Sequence, residues 1–404
     1  MNKAAAVTIV FFVFIVFGPG CAARPVPAEE PAFSESPYRA LDTLKEGTIL
    51  HIPTGVEVTK DQMFRVLSAE RITYIGETHT NLRDHQVQLE ILKGLWERFP
   101  GQVAVGMEMF QKPAQKELDR WSRGELDEKA FIKIWYANWD QDYAYYRNIL
   151  EYIRDKRIPL VALNASDQLV HAVMEKGTGG LPEDLRRELP EMDLTDTYHR
   201  NAVEAVFGGH AHGEHGFERF YQTMLTWDET MAQSVATYLS GPQGRGKKMV
   251  VFSGGFHVHY GFGIPRRVFK RLPEPYAIVM PYTTEIPENR KDILMNVEAV
   301  SIPLYLADFV WVVGYEDLED RKVHLGVHIE KAEKGVRITG VMPDSAASKA
   351  GIREGDIAVS FDGQVLEEPF DLSHLVSLKK SGDQAEIRVL RGDRTLDIKA
   401  RFEK

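Results

Sequence analysis

Short, continuous apolar runs alternate with stretches of helical period along most of this chain. Residues 71–75 form an apolar run that ends at Gly76, as a strand buried on both faces would. Val87, Ile91, Leu92, Leu95 and Phe99 then recur at helical spacing, and Pro100-Gly101 stops the helix. Further strands are predicted at 103–109, 158–163, 248–252 and 276–280. Between them lie helices rich in Trp and Tyr from 115 to 155, and a long, mostly helical stretch that runs to Tyr238. Strands separated by helices predict an α/β fold with a mostly parallel sheet flanked by helices on both faces. The punctuation changes around residues 316–321, which are charged and linker-like. Beyond them lie short strands, many glycines and one strong helical segment at 370–378, a small β-rich domain.

The first forty residues follow different rules. Lys3 precedes an apolar run at 4–17, and Gly18-Pro19-Gly20 leads to Cys21, the chain's single cysteine. The run is too short for a mature membrane span but suits a signal peptide. A lone cysteine after small residues resembles a lipoprotein cleavage site, although Gly18 and Pro19 depart from its usual pattern. Acylated Cys21 would be the lipid anchor and the protein's sole hold on a membrane. Residues 22–40, rich in Pro, Ala, Glu and Ser, read as an extended tether. The expected organisation is therefore a signal peptide with lipobox at 1–21, the tether at 22–40, the α/β domain at 41–315 and the small domain at 319–404.

Charge and cysteine content narrow the chemistry. The 404 residues carry a net charge of −10 and no Lys/Arg cluster, which argues against nucleic acid as a partner. One cysteine permits neither an internal disulfide nor a multi-cysteine zinc site. A metal would have to be held by His, Asp, Glu, Tyr or backbone groups.

The polar residues that remain converge. Glu77 and His79 follow the first predicted strand, Glu108 ends the second, Asn164 follows the third, and Gly254, His257 and His259 follow the fourth. Ligands of open parallel sheets bind beyond the carboxyl ends of the strands, so all of these point to one crevice. His85, in the first turn of the following helix, is placed to reach it. His79, His257 and Glu108 are a ligand set for Zn²⁺, Mn²⁺ or Co²⁺, or could face a porphyrin iron. Gly76, Gly254 and Gly255 allow tight turns or close ligand approach. The glycine- and histidine-rich segment 208–216 is a haem or metal ligand loop or a histidine loop with no ligand, and its glycine-rich composition argues against a preorganised site. Trp135, Tyr136, Trp139, Tyr143, Tyr145 and Tyr146 are chiefly core at this spacing, with porphyrin stacking as a second use.

On these residues the chain resembles the ChaN family of haem-binding uptake lipoproteins. The resemblance rests on 75–79 (Ile-Gly-Glu-Thr-His), His85 with Leu89, 106–110 (Gly-Met-Glu-Met-Phe), 227–232 (Trp-Asp-Glu-Thr-Met-Ala), 253–257 (Ser-Gly-Gly-Phe-His) and 307–311 (Ala-Asp-Phe-Val-Trp). The wider superfamily includes the Tiki metalloproteases and erythromycin esterases, whose shared mark is a pair of G-x-x-H motifs plus a glutamate. ChaN-type membership implies haem binding and iron uptake at the periplasmic face of a bacterial envelope. Its implied cofactor contacts are His79, His85, Glu108, His257 and His259, and a homodimer is compatible with it. Tiki-type membership implies hydrolysis with a divalent metal at His79, Glu108 and His257, with Glu77 or Glu108 as the candidate catalytic base that activates a metal-bound water.

From residue 319 the chain resembles a bacterial PDZ domain of the kind appended to envelope proteases. The matching stretches are 325–327 (Leu-Gly-Val), 336–341, 343–352 and 355–363. Backbone N–H groups at Leu325, Gly326 and Val327 would cradle the C-terminal carboxylate of a peptide or protein partner, with Leu375 and Leu378 lining the pocket for its last side chain. A serine protease is excluded although Phe252-Ser253-Gly254-Gly255-Phe256 mimics a nucleophile site, because such enzymes are all-β and the flanking residues are wrong.

Overall fold

Six runs of buried apolar residues pair side by side and parallel, with their side chains covered on both faces by helices. The computed structural model describes residues 40–207, 213–288, 304–318 and 323–403. The signal segment, Cys21, most of the tether and residues 208–212 and 319–322 lie outside the described residues. In chain order the α/β domain runs β1 (Ile49–His51), β2 (Val56–Glu57), α1 (Lys60–Ala69), β3 (Ile72–Ile75), α2 (Leu82–Arg98), β4 (Val103–Gln111) and α3 (Gln115–Ser122). It continues with α4 (Glu128–Asn138), α5 (Arg147–Asp155), β5 (Leu160–Asn164), α6 (Asp167–Lys176), α7 (Glu183–Glu188), α8 (Thr197–Phe207) and α9 (Gly213–Ser240). Then follow β6 (Lys248–Phe252), α10 (Ile264–Arg271), β7 (Tyr276–Thr283) and β8 (Phe309–Val313). The strand order is β2-β1-β8-β7-β3-β6-β4-β5, parallel from β8 to β5 and antiparallel at β1 and β2.

The five strands read from the sequence are all present. The apolar run of β8, every residue of which is buried, adds a sixth parallel member. Local rules account for the main boundaries. Thr59 and Gln62 form a capping box at the start of α1. Asn81 caps α2 by accepting from Arg83 N–H, and Gly101 takes a φ of 73° after it. The core between sheet and helices is strongly aromatic. Trp121 and Phe131 stack at 4.0 Å, and Trp135 lies 4.8 Å from Tyr146. No helix among the described residues is long and apolar enough to cross a membrane.

The small domain is an antiparallel sheet of β9 (Val327–Lys331), β10 (Val336–Val341), β11 (Ile357–Phe361), β12 (Gln364–Val365), β13 (Gln384–Arg391) and β14 (Arg394–Arg401), ordered β14-β13-β11-β10-β9 with β12 beside β11. It carries two helices, α11 (Ala346–Ala350) and α12 (Pro369–Ser377). Val336, Ile338, Phe361, Ile387, Val389 and Phe402 form its own core. Residues 314–316, which follow β8, are held rather than loose. Asn81, fully buried, donates to Gly314 C=O at 3.2 Å and accepts from Glu316 N–H at 3.0 Å, and Leu82 N–H reaches Glu316 C=O at 2.7 Å.

Candidate functional site

The carboxyl ends of β3, β4, β5 and β6 open onto a cavity of about 1330 Å³. Glu77, His79, Glu108, Asn164, Gly254, His257 and His259 all line it. Its walls are largely aromatic and apolar, with Trp139, Trp227, Phe220, Phe256, Met224 and Met280. The two glycine-histidine loops meet on its floor, where Gly255 N–H donates to Glu77 C=O at 2.9 Å. Gly76 sits in a close approach: a Cβ there would stand 2.3 Å from the Met280 sulfur, which would have to move, and 3.1 Å from Gly255 Cα.

Each loop histidine is paired with a buried carboxylate. Glu77 accepts from His79 Nδ1 at 2.7 Å, from Gln88 Nε2 at 2.5 Å and from the Tyr146 hydroxyl. His85 Nε2 stands 3.3 Å from the same carboxylate, and its ring lies 4.3 Å from that of Tyr146. His85 is thus behind Glu77, outside the cavity lining, because the first turn of α2 packs against the core. Across the floor, His257 Nε2 faces Glu108 at 3.4 Å, and Glu108 accepts from Gly254 N–H at 2.6 Å. Behind His257, Asp228 bonds His257 Nδ1 at 2.7 Å and His199 Nε2 at 2.8 Å. His79 meets the Trp139 ring edge-on at 5.1 Å.

These pairings govern the charges. Burial alone would raise the Glu77 carboxyl, but His85 and His79 outweigh it and hold the group well below the usual range. Glu108 is lowered in the same way, burial being overcome by His257 and then His79. Asp228 is held low against burial by His257 and His199. His257 is correspondingly raised well above its ordinary value, Glu108 and Asp228 overcoming burial. His259 has no carboxylate, and burial with the neighbouring His257 pushes it down to about 4. The floor therefore pairs each loop histidine with a buried carboxylate, and His259 lies beside them without such a partner.

Sequence reasoning placed Glu77, His79, Glu108, His257 and His259 together, as the structure does. It missed Gln88, Asp228 and His199 as parts of the site. Asp228 sat inside a recognised motif, but His199 comes from α8, and no spacing in the chain relates it to residue 228. Among the described residues no three His, Asp or Glu side chains stand in a metal-ligating arrangement. Glu77 and Glu108 are each turned to a histidine partner. Of the aromatic group, Trp135, Tyr143, Tyr145 and Tyr146 are core, while Tyr136 and Trp139 line the cavity. The cavity suits a porphyrin in three respects. It is larger than an ordinary small-molecule pocket, its walls offer flat aromatic contacts, and His79, His259, Tyr136, Tyr260 and Tyr282 supply nitrogen and oxygen donors to an iron.

In the small domain Gly326 takes a φ of 76°, and a Cβ there would fall 2.2 Å from that of Ser345, so the Leu325-Gly326-Val327 loop needs its glycine. Leu375 is buried in the domain core, whereas Leu378 at the end of α12 is 55% exposed.

An α/β domain with a mostly parallel sheet and a crevice at its strand ends, followed by a small antiparallel β domain, is the class this architecture defines. The chain belongs to the family described as haem-binding uptake, Tiki superfamily, ChaN, whose model matches residues 63–268, and the PDZ family model matches residues 323–401. The solved structure described as cofacial heme binding to ChaN of Campylobacter jejuni is 17% identical, covers 66% of this chain and 98% of its own, and superposes with a TM-score of 0.51. It supports the fold. A PDZ domain of HtrA3 bound to a phage-derived ligand matches 20% of this chain and 86% of its own at 23% identity and a TM-score of 0.19. A probable CtpA-like serine protease of Staphylococcus haemolyticus is 33% identical over 85 residues, 21% of this chain and 17% of that protein. A probable periplasmic DegP-like serine endoprotease of Halomonas elongata is 33% identical over 82 residues, 20% of this chain and 17% of that protein. The chain thus spans less than a fifth of either curated relative.

Proposed function

We propose that this protein captures haem in the strand-end cavity as part of haem or iron uptake at the bacterial envelope, while the PDZ domain recruits a partner by its C-terminus. The observation that carries the reading is the cavity itself: two glycine-histidine loops on its floor, aromatic walls around it, in a chain of the ChaN family. That family's named ligand puts haem ahead of the hydrolytic reading of the same residues. When bound, haem would supply an iron centre, and the side chains would position it. Trp139 and Phe256 offer faces to a flat macrocycle, and the Glu77–His79 and Glu108–His257 pairs hold imidazoles in fixed orientation.

Haemin titrated into the purified mature protein is expected to give a saturable Soret shift. His79→Ala should weaken it at least fivefold, or about 1 kcal/mol. Indistinguishable titrations of wild type and His79→Ala would place haem elsewhere. Acylation at Cys21 would hold the protein on the periplasmic face of a membrane. Cys21→Ser is then expected to move the protein from the membrane to the soluble fraction and to abolish palmitate labelling; unchanged fractionation would dismiss the anchor.

A further inference from the structure

The helix beside β9, α12, is also the surface by which the PDZ domain docks on the α/β domain. At the start of α12, Asp371 pairs with Lys129 at 2.6 Å and Glu368 with Lys133 at 2.6 Å, both lysines lying on α4. Phe370 packs against the aromatic core of the α/β domain. His374, one turn on, is pushed below its ordinary value by burial and by Lys129. This face of α12 is therefore committed to α4, while Leu372 and Leu375 on its other face are buried in the PDZ core.

The far end of α4 is part of the cavity. Tyr136, Asn138 and Trp139 line it, Trp139 contacts His79, and Asn138 accepts from Gln111 N–H at the end of β4 at 3.1 Å. Between its ends, α4 buries Phe131, Ile132 and Trp135 in the core, so its eleven residues behave as one stiff rod of about 16 Å. Residues 316 and 317, which follow β8, contact the same floor from its other side. Glu316 pairs with Arg83 at 2.7 Å and bonds Asn81, and Asn81 N–H bonds Thr78 C=O at 2.9 Å within the first glycine-histidine loop. Asp317 accepts from the Tyr145 hydroxyl, and the Tyr145 ring lies 5.9 Å from His85, which abuts Glu77.

We infer that the PDZ groove and the cavity are coupled, so that a peptide with a free apolar C-terminus in the groove and a ligand in the cavity change each other's affinity through α4. A peptide strand added beside β9 wedges against α12. It cannot shift α12 without working against Phe370 and the two ion pairs, and α4 carries that displacement to Trp139. Linkage makes the effect reciprocal. This rests on the haem reading only for the identity of the cavity ligand.

Hydrogen exchange on the full mature chain tests it. Haemin at saturation is expected to change exchange in α12 and in residues 314–318, with β13 and β14 unaffected; unchanged exchange in α12 with the Soret band present would overturn the coupling. The double variant Lys129→Glu, Lys133→Glu gives a readout that needs no haem. It should alter exchange at residues 77–81 and 138–140 as well as in α12, and shift the haemin Kd about fivefold. A change confined to α12 overturns the inference. Absence of any Soret shift in wild type removes the haem reading and leaves the variant's exchange pattern to decide the coupling.

Discussion

Replacing Asp228 with alanine is expected to lower the unfolding free energy by about 3–5 kcal/mol. Asp228 is fully buried and accepts from two imidazoles, His257 at 2.7 Å and His199 at 2.8 Å, both themselves buried. Removing the carboxylate leaves two ring nitrogens without partners in a low-dielectric interior and His257 with Glu108 alone. Denaturant unfolding followed by circular dichroism reads the loss, and a change under 1 kcal/mol would show that the cluster is not structural. The loss depends on pH. Asp228 is held below its unfolded value, so its share of the stability is present above about pH 4 and is lost as pH falls through the folded value. His257 is held above its unfolded value, so its share is present below about pH 6.5 and is lost as pH rises through the folded value. Both shares are full between about pH 4 and 6.5, and the gap between wild type and Asp228→Ala should be widest there and narrow in alkali.

Gly254→Val is expected to cost haemin affinity at least tenfold, about 1.4 kcal/mol, together with about 1–3 kcal/mol of stability from overpacking. A Cβ at this position would stand 3.1 Å from His79 Cε1 and Nε2 and 3.6 Å from a Glu108 oxygen. The branched methyl groups of valine would have to displace the His79 ring, which Glu77 and Trp139 hold in place. Gly254→Ala adds the Cβ without the branched methyl groups and should have a smaller effect, so the pair forms a graded series. Haemin titration and thermal unfolding on both variants check it, and wild-type affinity in Gly254→Val would mean that the floor between the two loops is not where the ligand sits.

The strands and helices that were readable from the chain share one property: their signal is local. β3, β4, β5, β6 and β7 are continuous apolar runs ended by polar or glycine residues, and α2 shows a full apolar stripe with a cap and a stop. β1 and β2, with three and two residues, are too short for any period to appear. β8 was readable in principle as the apolar run Phe-Val-Trp-Val-Val, but it lies beyond a long interval with no regular pattern, and its place between β1 and β7 follows only from pairing.

The site divides along the same line. The sequence by itself determined that Glu77, His79, Glu108, His257 and His259 share one edge, because parallel βα units deliver every strand's carboxyl end to the same side. It also determined the PDZ module, whose turn glycines and apolar positions are specified residue by residue. Only the tertiary structure decided which carboxylate holds which histidine, that His85 backs Glu77 rather than facing the cavity, and that His199 from α8 shares Asp228 with His257. It alone decided that α12 of the PDZ domain rests on α4. Hydrogen bonds and ion pairs between residues 29, 146 or 242 positions apart leave no period or spacing in a chain; they exist only once packing brings the elements together.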